Sequence, residues 1–239
     1  MQRSTALVRF AAVTVSAVAG LAACTRGART APRSAVTPGR AVRIVALGDS
    51  LAFGTGASAP RNAFIFRAYL RVRAQHPGSR IDNFAIGGST AADVLRLQAP
   101  RLAHARADVV VLCVGGNDVV HRVAAADFAR TYAALVARVR ALQPRAAIVC
   151  CGVPDVGRSP LFTGADHDAV TRLSHLNDQA IRVIARYAGA AFVDLYATTV
   201  RERGDINRFI AEDRFHPSDD GYAELADTLA PALLRAASR

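Results

Sequence analysis

The 239-residue chain contains no lysine. All 30 of its basic residues are arginine, set against 19 acids for a formal charge of +11. A balance of that sign raises nucleic-acid binding as a reading. The arginines, however, are scattered along stretches of helical period, and after the leader no run of basic residues interleaves with aromatics. Biased use of Arg and Ala accounts for the charge, so nucleic acid is not an expected partner; attraction to anionic headgroups is a weaker option. Also missing is any CxxC pair or His/Cys spacing of a metal site, and neither metal nor organic cofactor is expected. Cysteine is scarce, four in all. Cys113, Cys150 and Cys151 lie in apolar, strand-like runs, where cysteine usually serves as a small buried hydrophobe. An exported chain meets an oxidising compartment, so a bridge from Cys113 to Cys150 or Cys151 stays open. At 51% hydrophobic and 21% charged the chain is globular, with the length of one large domain.

The N-terminal apolar run has no acid. Arg3 and Arg9 form a short basic head, and "FAAVTVSAVAGLAAC" then runs to Cys24. By charge and length this is a secretory leader and too short for a membrane span. Its end, Leu21-Ala22-Ala23-Cys24, resembles the bacterial lipobox. The resemblance implies an exported protein, cleaved before Cys24 and held at the cell membrane or envelope by acyl chains on that cysteine. Thr25, where an Asp would signal retention, gives no reason to expect the inner membrane. Without Arg3 and Arg9 the charge is 28 − 19 = +9. "TRGARTAPRSAVTPGR" has no apolar period and reads as a flexible tether. The expected organisation is a leader over 1–23, a lipid-anchored linker over 24–40 and a domain over 41–239.

From Ala41 the chain alternates. "AVRIVAL", "RIDNFAI", "ADVVVLCV", "AAIVCCGV" and "AAFVDLY" read as strands, the unbroken apolar ones as strands buried on both faces. Between them, "NAFIFRAYLRVRAQHP" reads as a helix closed by Pro77, and "TAADVLRLQAPRLAHA" as a helix with a kink near Pro100. Phe128, Tyr132, Leu135, Val139 and Leu142 form a stripe at helical spacing. A further helix runs over 168–187, and the last starts near Ser218 with Asp219 and Asp220 at its N-terminus. Strand–helix alternation repeated about five times implies a parallel sheet with helices on both faces and ligands at the strand exits.

Small and polar residues stand at those exits. Gly48-Asp49-Ser50-Leu51 follows the first strand. Asn83 and Gly87-Gly88-Ser89-Thr90 follow the second, and Gly115-Gly116-Asn117-Asp118 the third. Asp213-Arg214-Phe215-His216-Pro217 precedes the last helix. Each cluster alone occurs by chance in many chains. All four, in this order and spacing, resemble the SGNH hydrolases, or GDSL lipases and esterases, over the whole stretch from Ala41 onward. "DRFHPSDDGYAELA" is most similar to the lysophospholipase-like and general esterase branch. The resemblance implies a three-layer α/β/α sandwich around a roughly five-stranded parallel sheet, flavodoxin-like in order. No Gly-x-Ser-x-Gly elbow occurs, which argues against the ordinary α/β-hydrolase fold.

The residue types suit acyl transfer. A serine hydroxyl such as that of Ser50 is nearly inert at neutral pH without a base. His216 can supply one, because imidazole titrates near neutrality. Asp213, three residues earlier, can reach the other ring nitrogen, fix the tautomer and stabilise the imidazolium. The resemblance assigns the oxyanion hole to the backbone N–H groups of Ser50 and Gly88 and to the side-chain amide of Asn117. His76, His104 and His175 are expected on the surface, and His121 either on the pocket wall or in an exposed loop. Residues 158–168, with His167, read as a loop over the site; its Leu161 and Phe162 either meet a lipid-like chain or pack inward. The expected partners are a small-molecule or lipid ester and, through the anchor, a membrane; the protein itself is expected to be a monomer. Fatty-acyl esters fit a tethered enzyme. Acetyl esters of polysaccharide are the alternative substrate, and a non-catalytic surface-binding lipoprotein on the same scaffold is the alternative function.

Overall fold

Five short runs become the strands β1 (Arg43–Gly48), β2 (Arg80–Asn83), β3 (Val109–Cys113), β4 (Ala147–Cys151) and β5 (Ala191–Val193) in the computed structural model, which describes residues 39–201 and 205–239. The leader, Cys24 and most of the tether therefore lie outside the described residues. The strands pair in parallel throughout, in the order β2-β1-β3-β4-β5. Side chains alternate along β1. Ile44 and Ala46 enter one core with Phe64, Tyr222 and Leu229, and Val45 and Leu47 enter the other with Val94, Phe128 and Leu135. Burial on both faces is why β1, β3 and β4 read as continuous apolar runs rather than alternating ones.

The helices are α1 (Ser50–Phe53), α2 (Phe64–Gln75), α3 (Ala91–Asp93), α4 (Gly116–Val120), α5 (Ala125–Leu142), α6 (Gly164–Tyr187), α7 (Leu195–Val200) and α8 (Asp219–Ala237). α2 and α8 cover one face of the sheet, α5 and α6 the other. The α5 stripe is buried as its spacing predicts, although Leu142 at its end is only half-buried. Ser218 caps α8, its hydroxyl accepting from the Gly221 N–H at 3.3 Å. Residues 91–104 begin as α3, widen into a π turn over Val94–Gln98 and tighten into a 3-10 turn over Ala99–His104. Pro100, which has no N–H for a regular α ladder, lies in the tightened part.

Several expectations need correction. The fifth strand ends at Val193, because Asp194 accepts from the Ala197 N–H at 2.8 Å and so caps α7. α6 begins at Gly164, so residues 164–168 are its first turn and not loop. His76 is buried and not on the surface: its Nδ1 lies 3.0 Å from the Arg40 carbonyl oxygen. Cys113, Cys150 and Cys151, by contrast, are buried as their apolar runs predict, and they are free thiols. No described helix is long and apolar enough to cross a membrane.

Asp178 is a buried carboxylate on α6 with a pH-dependent cost. One oxygen has no hydrogen-bond partner, and the other is 3.8 Å from Arg182. Burial, then repulsion from Asp194, pushes the carboxyl up to about 7, against the pull of Arg182. An unfolded aspartate ionises near pH ~3.9. The stability this group confers is therefore complete below about pH 4 and is lost as pH rises through about 7. Asp178→Asn has no proton to lose. It should raise Tm by several degrees at about pH 8, an advantage that shrinks on acidification and vanishes below about pH 4. Thermal melts across that range check this; an equal shift at every pH would rule out titration as the cause.

Candidate active site

The strand order reverses between β1 and β3, and in a doubly wound sheet the crevice outside such a switch point receives ligands. Ser50 leaves β1 at this point and Asn117 leaves β3. The turn into α1 is local chemistry. Gly48 lies so close to β3 that an added Cβ would sit 1.9 Å from the Cys113 carbonyl oxygen, so only glycine fits. Asp49 caps the short helix, its carboxylate accepting from the Leu51 N–H at 3.0 Å. Ser50 is thereby the first residue of a helix, with its side chain free to face outward over the sheet edge.

His216 reaches it from 166 positions away in the chain. Its Nε2 lies 2.9 Å from Ser50 Oγ, and its Nδ1 lies 2.6 Å from Asp213 Oδ2. The other oxygen of Asp213 accepts from the backbone N–H groups of Phe215 and His216, both at 2.9 Å. Arg214 takes a positive φ of 61°, which closes the loop tightly enough for Asp213 to fold back under the ring. Burial acts to raise the Asp213 carboxyl, but the hydrogen bonds from the His216 ring and the two N–H groups outweigh it and hold it below the ordinary carboxylate range. The Ser159 hydroxyl donates to the Arg214 carbonyl at 2.8 Å, and Phe162 packs edge-on against Phe215. The loop after β4 thus supports the histidine loop, and Phe162 packs inward. Leu161 is exposed.

The remaining predicted residues converge on the same crevice. An added Cβ on Gly87 would be 3.9 Å from the Cβ of Ser50, and Gly88 turns with φ +80°. Asn117 Nδ2 donates to the Ser89 carbonyl at 3.0 Å, which leaves its second proton available. Among the described residues, no hydrogen bond is donated by the backbone N–H of Ser50 or of Gly88. Orphan donors beside a serine–histidine pair can stabilise a developing oxyanion. His121 is exposed rather than on the wall.

Three buried side chains hold these loops together. Asp49, besides capping α1, donates its own N–H to the Cys113 carbonyl at 3.2 Å; burial pushes its carboxyl up to about 6, partly offset by the N–H groups of Leu51, Gly115 and Gly116. Asp118 accepts from the Ala91 N–H at 2.9 Å and so ties α4 to the Gly87–Thr90 turn. Gln98 accepts from the Gly48 N–H at 2.9 Å, while its amide donates to the Gly48 carbonyl at 2.8 Å and to the Ser89 hydroxyl at 3.2 Å. Asp49 and Asp118 sit inside the motifs read from the sequence, but Gln98 does not. Its one signal was a polar residue four positions from each of Val94 and Leu102, on a buried stripe.

The sequence profile of the GDSL-like Lipase/Acylhydrolase family matches residues 46–224. The chain belongs to that family. Among curated proteins, this GDSL chain is 31% identical over 154 residues to the platelet-activating factor acetylhydrolase IB subunit alpha1 of Rattus norvegicus, covering 64% of this chain and 63% of that one. It therefore spans less than two thirds of that relative's length. Among solved structures, an acetylxylan esterase from Geobacillus stearothermophilus shares the fold at a TM-score of 0.65 and 22% identity, over 84% of this chain and 96% of that one. A two-domain esterase active on acetylated mannans aligns at a TM-score of 0.62 and 26% identity, over 84% of this chain and 52% of that one.

A cavity of about 130 Å³ opens beside Ser50 and His216. Val153, Val156, Ile206, Phe209, Ile210 and Leu225 give it an apolar wall. Among the described residues no cluster of His, Cys, Asp and Glu could hold a metal ion.

Proposed function

We propose that the protein is an exported, lipid-anchored serine esterase that hydrolyses short-chain carboxylic esters through an acyl-enzyme. Ser50 Oγ attacks the ester carbonyl carbon as its proton passes to His216 Nε2. The imidazolium, stabilised by Asp213, then gives that proton to the departing alcohol. Water, deprotonated by His216, attacks the acyl-serine, the bond to Oγ breaks and the carboxylic acid leaves. The N–H groups of Ser50 and Gly88 and the Asn117 amide receive the oxyanion in both halves, with no cofactor involved. The observation that carries this reading is the unbroken hydrogen-bonded relay from Asp213 through His216 to Ser50, at 2.6 and 2.9 Å.

The size of the cavity favours a short acyl group. An apolar cavity of about 150 Å³ accommodates benzene, six heavy atoms. The pocket here, at about 130 Å³, suits an acyl group from acetyl to about butyryl rather than a fatty-acyl chain. Acetyl esters are also what the names of the relatives describe. Hydrolysis of p-nitrophenyl esters from acetyl to palmitoyl, beside acetylated sugar and lysophospholipid, tests this. The expected kcat/KM peaks at acetyl to butyryl and falls at least about tenfold by octanoyl; a maximum at long chains would overturn it. The anchor has its own test. In cell fractionation with a high-salt wash, which screens surface charge contacts, Cys24→Ala should move the activity from the membrane to the aqueous fraction, and unchanged partitioning after that wash would refute lipidation at Cys24.

A further inference from the structure

In a parallel sheet every flanking helix runs against the strands, so all helix C-termini gather at the edge where strands begin. The arginines follow that polarity. Arg73, Arg140, Arg186 and Arg235 occupy the last turns of α2, α5, α6 and α8, and Arg43 and Arg80 open β1 and β2. Each cation suits the negative end of its helix dipole, but the topology adds them together on one side of the molecule. The first-turn acids gather at the opposite edge, which bears the cleft. There Asp127, Asp166 and Asp220 are paired with Arg130, Arg122 and Arg208.

The strand-start edge is less compensated, with Arg40–Asp108 as the one ion pair among the residues lining its groove. It carries an open groove of about 860 Å³ lined by Arg40, Arg106, Arg140, Arg145 and Arg239, with Asp108 as the sole acidic side chain among the lining residues. That carboxylate is already engaged by Arg40 and by the Arg43 N–H, at 2.9 and 2.7 Å. Arg73, Arg106, Arg145 and Arg235 enter no ion pair among the described residues. β1 is entered at this edge, through Arg40.

We infer that this edge is a docking face for an anionic phospholipid bilayer, centred on Arg106 and Arg145. The cations are spread around an open groove rather than caged around one buried point, which matches many phosphates on a plane rather than a single bound anion. Docking this way turns the cleft away from the bilayer, so its ester arrives from the aqueous side. Surface contact of this kind needs no acyl chain on Cys24 and no turnover at Ser50.

The test uses the full chain carrying Cys24→Ala, sedimented with vesicles of phosphatidylcholine alone or mixed with phosphatidylglycerol. The expected result is stronger binding to the mixed vesicles, weakened by salt and lowered at least about tenfold when Arg106→Glu and Arg145→Glu are added together. Arg130→Glu, on the cleft-side end of α5, should lower it less than about twofold. The doubly reversed protein should hydrolyse a soluble ester at the unaltered rate, which shows that it is folded. Equal binding to both vesicle types, an undiminished double variant, or an equal loss with Arg130→Glu would each overturn the proposal. So would displacement by millimolar inorganic phosphate, the mark of an isolated anion site.

Discussion

Ser50→Ala should lower kcat by about 10⁵- to 10⁶-fold, with KM nearly unchanged, and should abolish labelling by a fluorophosphonate probe. The substitution removes one atom, the Oγ that sits 2.9 Å from His216 Nε2. Nothing else depends on it. α1 is capped by the Asp49 carboxylate and closed by the Gly54 N–H on the Ser50 carbonyl, neither of which uses the serine side chain. The variant should therefore fold and melt like the parent, and the loss should fall on chemistry rather than on binding. A surface-binding lipoprotein on this scaffold would leave both proteins unlabelled. Labelling of the alanine variant at the parent's level would put the nucleophile elsewhere. Comparing probe incorporation with Tm in the two proteins separates these outcomes.

What could be read without coordinates was what repeats locally. Runs such as "VVVLCV" are apolar because both faces of β3 are covered, and the α5 stripe is periodic because only one of its faces is. Both patterns survive in the sequence. The site motifs were legible for a related reason: backbone geometry at strand exits demands particular residues there, glycine at position 48 above all. Features decided by distant partners were not legible. β5 gives way to α7 because the Asp194 side chain turns onto Ala197, a competition that "AFVDLY" alone does not reveal. His76 looked like a helix-end surface residue until the chain at Arg40 packed over it. Gln98 is the clearest case. A glutamine on an apolar stripe looks like a flaw, yet here it is satisfied by the backbone of Gly48, fifty residues away. The polarity of charge between the two sheet edges was hidden because arginines scattered in sequence become adjacent only once the helices align.

Asp213 offers a sharper test of mechanism than simple deletion, because asparagine there should be worse than alanine. Oδ1 of Asp213 accepts from two backbone N–H groups, whereas Oδ2 faces Nδ1 of His216. In Asp213→Asn the amide oxygen must keep the two N–H groups, since the NH₂ cannot accept from them. The NH₂ is then left facing Nδ1, and it donates. The imidazole must carry its proton on Nε2, where it can no longer take one from Ser50. A wrong tautomer of this kind costs about 10⁴ in kcat. Asp213→Ala removes the carboxylate but imposes no tautomer. Water can serve Nδ1 at this half-exposed position, so the expected loss is smaller than that of the asparagine variant. Both variants should bind a short-chain ester with little change in KM. The decisive readout is the order of kcat, together with the imidazole NMR signature of which nitrogen is protonated. If asparagine matches or exceeds alanine, Asp213 does not act by orienting the proton on His216. Its carboxylate would then matter only as a nearby negative charge, which the alanine variant loses just as completely.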